Sequence, residues 1–156
     1  MPDLMTHLLI ALILAELFNM KKKSLVVLGA LIPDILGKFQ LILFYLGIPQ
    51  FLFFGSFHTP LMSILVGILV APLFFYDNFK TIVFINIGVI SHFVADVALR
   101  HFNDTGMMLL FPFSMKNYSL NLIWPEQSLY VLFVTFGIYA IIKIIKKYNL
   151  IETFIS

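Results

Sequence analysis

The sequence consists largely of long apolar runs that are interrupted by only a few charged residues. Hydrophobic residues make up 61% of its 156 residues, and charged residues make up 12%. Soluble domains usually contain about 45–50% apolar and about 25% charged residues. A chain of this length cannot hide so much apolar surface from water, so much of that surface must face lipid. The pattern therefore predicts an integral membrane protein.

The apolar runs predict an all-α fold, an integral membrane helical bundle with about five transmembrane helices. The first run is short for a span, and it lacks the basic start of a signal peptide, so we expect a retained helix. No sequence resembling a linker divides the chain, which favours a single membrane-embedded domain over residues 1–156. The predicted helices cover approximately residues 4–20, 24–47, 58–76, 80–101 and 128–148.

Pro33 and Asp34 lie near the middle of the second apolar run. Proline removes a backbone hydrogen-bond donor and bends a helix, so this helix is expected to be broken at Pro33. Broken helices are tolerated in membranes where the freed backbone lines a cavity or contacts other protein. We therefore expect open space beside Asp34, although this carboxylate could instead cap the half-helix that follows Pro33.

The basic residues cluster at alternate ends of the predicted helices, which is typical of a topology signal rather than a nucleic-acid surface. One side would carry only Lys38, Arg100 and Lys116. The distribution predicts a multi-pass protein of the inner (plasma) membrane, with its lysine-rich ends cytoplasmic and its N-terminus outside. The other side would carry seven lysines: Lys21, Lys22, Lys23, Lys80, Lys143, Lys146 and Lys147.

Residues 91–114 are unusually polar for a segment that begins inside an apolar run. His92 and Asp96 are four positions apart, so on a helix they lie one turn apart on the same face. Ionisable groups at membrane depth usually face a cavity or one another, which makes them functional candidates. The pair could hold a metal ion, or it could simply fasten two helices by a hydrogen bond. His101 and Asp104 follow nearer the outer surface, where a solvated role is ordinary.

Three other segments carry histidine or aspartate at a similar predicted depth. At a rise of ~1.5 Å per residue, His92, Asp34 and His7 lie about 18, 15 and 21 Å from the lysine-rich ends. Asp96 lies one turn further out, and bending would bring His58 to the same level. This agreement predicts a joint site in the outer half of the bundle, although His7 and His58 could instead be interfacial histidines bonded to backbone carbonyls.

A site of two or three histidines and one or two carboxylates suits a divalent metal, most readily Zn²⁺. The chain contains no cysteine, which excludes thiolate ligands and a cysteine nucleophile. A bound ion of this kind lowers the pKa of its water toward ~7. The sequence also lacks a nucleophile elbow and a phosphate-binding glycine loop.

Four short motifs, taken in order, resemble those of the prokaryotic membrane-bound metal-dependent hydrolases. This family includes the LexA-regulated inner-membrane hydrolase type and is remotely similar to the zinc-dependent phospholipase C/P1 nuclease fold. From the first to the last, the motifs span about two thirds of the chain. They are TH (Thr6–His7), GALIPD (Gly29–Asp34), FHTPLMS (Phe57–Ser63) and SHFVAD (Ser91–Asp96), the last followed by TGMMLLFPFS (Thr105–Ser114).

The resemblance implies that His7, Asp34, His58, His92 and Asp96 form the metal site. It also implies a helical membrane protein that acts on a phosphoester or lipid-like substrate. The apolar composition predicts membrane lipid as a partner, and the basic residues at helix ends do not indicate a nucleic-acid partner.

The chain departs from the family pattern in two places. Many relatives have a second acidic residue shortly after the Pro-Asp pair, where this chain has Leu36-Gly37-Lys38. Many also have a His–Arg pair before the third motif, where this chain has Phe53-Phe54-Gly55-Ser56. Losing potential ligands favours one metal ion over a multinuclear centre.

Two residues are candidates for the chemistry itself. Asp34 would act as a base or as a metal ligand, and Arg100 could clamp a substrate phosphate from one turn beyond Asp96. Snorkelling to the interface is the alternative for Arg100, and a salt bridge to Lys21–Lys23 is expected for Glu16.

The leading hypothesis is a membrane hydrolase. The alternative is a binding or transport protein that uses the same cluster for a metal ion or protons.

Overall fold

The computed structural model describes residues 4–47, 58–98, 100 and 106–155. Within these residues it contains five α-helices and no β-strand, apart from an isolated bridge between Met107 and Tyr118. The all-α prediction and the predicted number of helices are therefore confirmed. The helices are α1 (Leu4–Leu17), α2 (Lys23–Tyr45), α3 (Pro60–Val70), α4 (Asn78–Ala98) and α5 (Ser128–Ile155).

Two of the described helices are long and apolar enough to cross a membrane. They are α4 and residues Ser128–Tyr148 of α5. Two apolar helical segments are shorter, namely α1 and Pro60–Leu73, which is α3 with the 3-10 turn that follows it. The 14 residues of α1 extend about 21 Å, less than the roughly 30 Å of a bilayer core. The structure therefore supports two of the five predicted spans.

The predicted break at Pro33 is wrong, because α2 continues through this proline without interruption. The residue four positions earlier, Gly29, packs directly against the backbone of α4. A Cβ atom added to Gly29 would lie 1.9 Å from the carbonyl oxygen of Ile85. Neighbouring helices make proline tolerable within a membrane helix, and α4 is the helix that packs against α2 at this point.

The α2–α4 pair forms the centre of the bundle, and glycine allows its close packing. Gly88 of α4 faces α2, and a Cβ atom added there would lie 2.0 Å from the carbonyl oxygen of Val26. Small residues let membrane helices approach backbone to backbone. Around this pair, α1 packs against α2, α4 and α5, while α3 packs mainly against α4.

Several predicted helix ends differ from the observed ones, and two of these differences have a clear physical reason. The third helix begins at Pro60 rather than His58, because Thr59 is extended and proline suits the first helical position. The fourth helix ends at Ala98 rather than near residue 101. The backbone N–H groups of Leu120 and Leu122 donate to the carbonyls of Val97 and Ala98, so a later segment satisfies the last turn. The candidates His101 and Asp104 lie outside the described residues.

Glu16 joins three helices at one end of the bundle. Its buried carboxylate lies 2.5 Å from Lys23 Nζ of α2 and 2.9 Å from Lys143 Nζ of α5. Lys146 Nζ, also of α5, lies 3.3 Å away. A salt bridge to the Lys21–Lys23 run was predicted and is confirmed through Lys23. The two α5 lysines could not be predicted from spacing, because they are more than a hundred residues away in the chain.

Candidate metal centre

The structure brings all five predicted ligands together at one place in the bundle. They come from four segments: α1 carries His7, α2 carries Asp34, the residues before α3 carry His58, and α4 carries His92 and Asp96. All except His58 are at most 1% exposed. The side chain of His58 is 16% exposed, so the cluster is accessible at its edge.

His92 lies at the centre of the cluster, and its ring orientation is set by α2. Its Nδ1 atom lies 2.8 Å from the carbonyl oxygen of Ala30, which can only accept, so Nδ1–H donates. A neutral imidazole protonated on Nδ1 has a free lone pair on Nε2. That lone pair faces the other donors. A hydrogen bond of this type to a backbone carbonyl is the usual support of a metal-binding histidine.

Asp96 connects the three histidines. Its Oδ1 atom lies 3.3 Å from His7 Nε2, and its Oδ2 atom lies 3.2 Å from His92 Nε2 and 3.5 Å from His58 Nε2. The rings of His7 and His92 stack with their centroids 3.9 Å apart. The predicted helical spacing of His92 and Asp96 on one face of a helix is therefore confirmed.

Asp34 lies beside His58, the one partly exposed residue of the cluster, although Asp34 itself is buried. His58 Nε2 lies 3.7 Å from Asp34 Oδ1 and 3.2 Å from His92 Nε2. Gly37 makes room for this arrangement, since a Cβ atom added there would lie 3.3 Å from the His58 ring. The absence of a side chain at position 37 thus lets α2 approach the histidine.

Two overlapping donor groups could hold a metal ion. One consists of His7, His92 and Asp96, the other of Asp34, His58 and His92, and in each the ligand atoms lie within 4.8 Å of one another. The contacts between donors are 3.2–3.7 Å long. Ligands arranged tetrahedrally at the usual Zn–N distance are separated by about 3.3–3.4 Å. The spacing therefore fits a single small ion.

Unsatisfied atoms provide a second test of this fit. Within the described residues, both ring nitrogens of His7, Oδ1 of Asp34 and both oxygens of Asp96 are buried and make no hydrogen bond of normal geometry, although the Asp96 oxygens lie 3.2–3.3 Å from the Nε2 atoms of His7 and His92. Leaving such a group unpaired costs about 1–3 kcal/mol, and more when the group is charged. A hydrogen-bonded pair that only fastened two helices would satisfy these atoms. A cation among them could bind one ring nitrogen of His7 and oxygens of Asp34 and Asp96, so the donor set fits a metal ion.

Lys38 was not predicted to belong to the site. It lies one turn after Asp34 on α2, and its Nζ atom is 3.1 Å from Asp34 Oδ2. Its side chain is half-exposed, which places a positive charge at the accessible side of the cluster. The four-residue spacing of Asp34 and Lys38 was a signal in the sequence that could have identified the pair.

The sequence suggested that Arg100 continues the His92–Asp96 face of α4. In the structure it does not continue this face. The helix ends at Ala98, and the Arg100 backbone N–H donates to the carbonyl of Ile123. The guanidinium group lies over the Trp124 ring, 4.1 Å from its centre. A cation–π contact with the exposed Trp124 is therefore part of the environment that the structure gives this residue.

Comparison with known proteins gives a family match over almost the whole chain. The family model described as "YdjM inner membrane protein" matches residues 1–155. No curated protein and no solved structure matches the chain.

Proposed function

The chain belongs to the YdjM inner membrane protein family, and from that premise we propose that it is a multi-pass membrane hydrolase dependent on one Zn²⁺ ion. Its substrate would be a phosphoester or a lipid-like molecule. The observation that carries the proposal is the group of buried donor atoms on His7, Asp34 and Asp96 that make no hydrogen bond of normal geometry and lie around the Nε2 lone pair of His92. Such a group inside an apolar bundle is costly unless it binds something.

His7, His92 and Asp96 would hold the ion. Three protein ligands and an open fourth position are characteristic of catalytic rather than structural zinc. A zinc ion bound in this way supplies hydroxide near neutral pH and polarises a phosphoryl oxygen. His58 and Asp34 are adjacent to the three ligands and would lie beside the open position.

Asp34 has the geometry to act as the base, and Lys38 has the geometry to bind an anionic group of the substrate. Oδ1 of Asp34 faces the cluster without a hydrogen-bond partner and could accept a proton from a water molecule. Oδ2 is bound to the Lys38 ammonium group, which holds the carboxylate in place. The half-exposed ammonium can also donate to an anionic oxygen of a substrate. This assigns to Lys38 the anion-binding role that sequence reasoning had assigned to Arg100.

Activity is the direct test of this proposal. Purified protein supplied with Zn²⁺ should hydrolyse a phosphodiester or phospholipid within a substrate panel, because a water nucleophile is then available near neutral pH. A chelator should abolish the activity, and added Zn²⁺ should restore it. A folded, metal-loaded protein that is inert on the panel but moves cations into liposomes would instead favour the transport function.

Replacing Lys38 by glutamine tests the anion-binding role. We expect kcat/KM for an anionic substrate to fall roughly tenfold, since a charge-assisted hydrogen bond contributes about 1.5–3 kcal/mol and Lys38 is half-exposed. Metal content should not change. Lys116→Gln is the matched control and should retain full activity. Unchanged kinetics in Lys38→Gln would remove Lys38 from the mechanism.

The five-span topology has its own test, which uses the absence of native cysteine. Cysteines placed at Asn78, the first residue of α4, and at Asn117 should label from opposite sides of the membrane. Asn117 should be accessible from outside, because the lysine-rich ends are expected to be cytoplasmic. Labelling of both positions from one side would contradict this topology.

A further inference from the structure

A pocket separate from the candidate metal centre lies at the lysine-rich end of the bundle, where α1 ends and α4 begins. Its volume is about 610 Å³, and it shares no residue with the candidate metal centre. Its walls combine an apolar floor with a basic rim. The residues that matter here are Leu25, Tyr76 and Phe84 on the floor and Lys21, Lys22 and Lys80 on the rim.

The rim carries an excess of positive charge. Lys22 Nζ lies over the Tyr76 ring, 3.8 Å from its centre, a contact that preserves the charge of the ammonium group. Lys80 pairs with Asp77 at 3.1 Å, and Asp77 is the only carboxylate among the residues that line the pocket. Lys21 is exposed. Three ammonium groups facing one carboxylate leave the rim able to attract an anion.

The floor of the pocket excludes a purely hydrophilic ligand. Leu25 and Phe84 belong to the packed core between α2 and α4, while Tyr76 is half-exposed. Lysines at helix ends lie at the headgroup level of a bilayer, and apolar surface beside them lies at the level of the upper acyl chains. The matching ligand is therefore amphipathic, with a negative head and an apolar tail.

We propose that this lysine-rimmed pocket binds an anionic phospholipid of the surrounding membrane. The headgroup phosphate contacts Lys21, Lys22 and Lys80, and the first part of an acyl chain lies over Leu25 and Phe84. Basic pockets between membrane helices bind anionic headgroups for the same reason. The proposal does not depend on hydrolase activity, and the bound lipid is a ligand rather than a substrate.

Thermal unfolding of the full-length protein in neutral detergent tests the site. Phosphatidylglycerol should raise Tm by roughly 3–6 °C when it is about tenfold above its Kd, and phosphatidylcholine should not. The variant Lys21→Gln/Lys22→Gln/Lys80→Gln should lose this shift. Replacing the same three lysines by arginine should retain it, as should the control Lys116→Gln/Lys147→Gln.

Native mass spectrometry gives a second measurement on the same proteins. Phosphatidylglycerol should remain bound to the wild type and to the arginine variant, but not to the glutamine variant. Equal shifts with both lipids, or an undiminished shift in the glutamine variant, would overturn the proposal. Since no step measures hydrolysis, an inactive protein would still give a clear answer here.

Discussion

His92→Ala should lose its bound metal ion, and we expect this to be the largest effect of any substitution in the cluster. His92 belongs to both donor groups, and its Nε2 atom lies within 3.2 Å of both His58 Nε2 and Asp96 Oδ2. Removing only a supporting hydrogen bond around a metal site typically lowers affinity about 10–100-fold. The loss of a ligand shared by both groups should exceed that range. Metal analysis of purified protein measures the effect.

Two further variants make this experiment decisive. Asp96→Ala should also lower metal content, because its oxygens face all three histidines. Glu16→Gln should not, since Glu16 bonds lysines at another place in the fold. Equal metal content in the wild type and all three variants would mean that His92 and Asp96 are only a structural pair.

Gly88→Ala should destabilise the protein severely, although it adds a single methyl group. The new carbon would lie 2.0 Å from the Val26 carbonyl oxygen and 2.7 Å from the Ala30 backbone nitrogen, and neither backbone atom can move independently of α2. The two central helices would have to separate. Overpacking costs about 1–3 kcal/mol where side chains can adjust, and we expect at least about 3 kcal/mol here. Thermal or denaturant unfolding in detergent measures the loss.

The same substitution should also reduce metal content. Ala30 holds the His92 ring by its carbonyl, and α2 carries Asp34 only four residues later. Separating α2 from α4 would therefore move two parts of the cluster apart. Gly137→Ala on α5 is the matched control, because a Cβ atom there meets nothing within 4 Å. If Gly88→Ala were as stable as Gly137→Ala, the close approach of α2 and α4 would not determine stability.

Local patterns in the sequence predicted much of this molecule. Apolar runs predicted five helices because helix formation depends on nearby residues. The spacing of His92 and Asp96 predicted their shared face, because a helix repeats about every 3.6 residues. Where local rules failed, packing was the reason. Pro33 does not break α2, which packs closely against α4 at Gly29, and α4 ends early because a later segment binds its last carbonyls.

The sequence by itself determined the helical class, the apolar surface and the residue types available for a metal site. Tertiary structure alone decided which donors meet, at what spacing, and which lack other partners. It also decided that Lys38 lies beside Asp34 and that the guanidinium group of Arg100, which follows the end of α4, lies over Trp124. Contacts between residues far apart in the chain depend on how helices pack. That packing is set by close approaches such as those of Gly29 and Gly88, which no local pattern records.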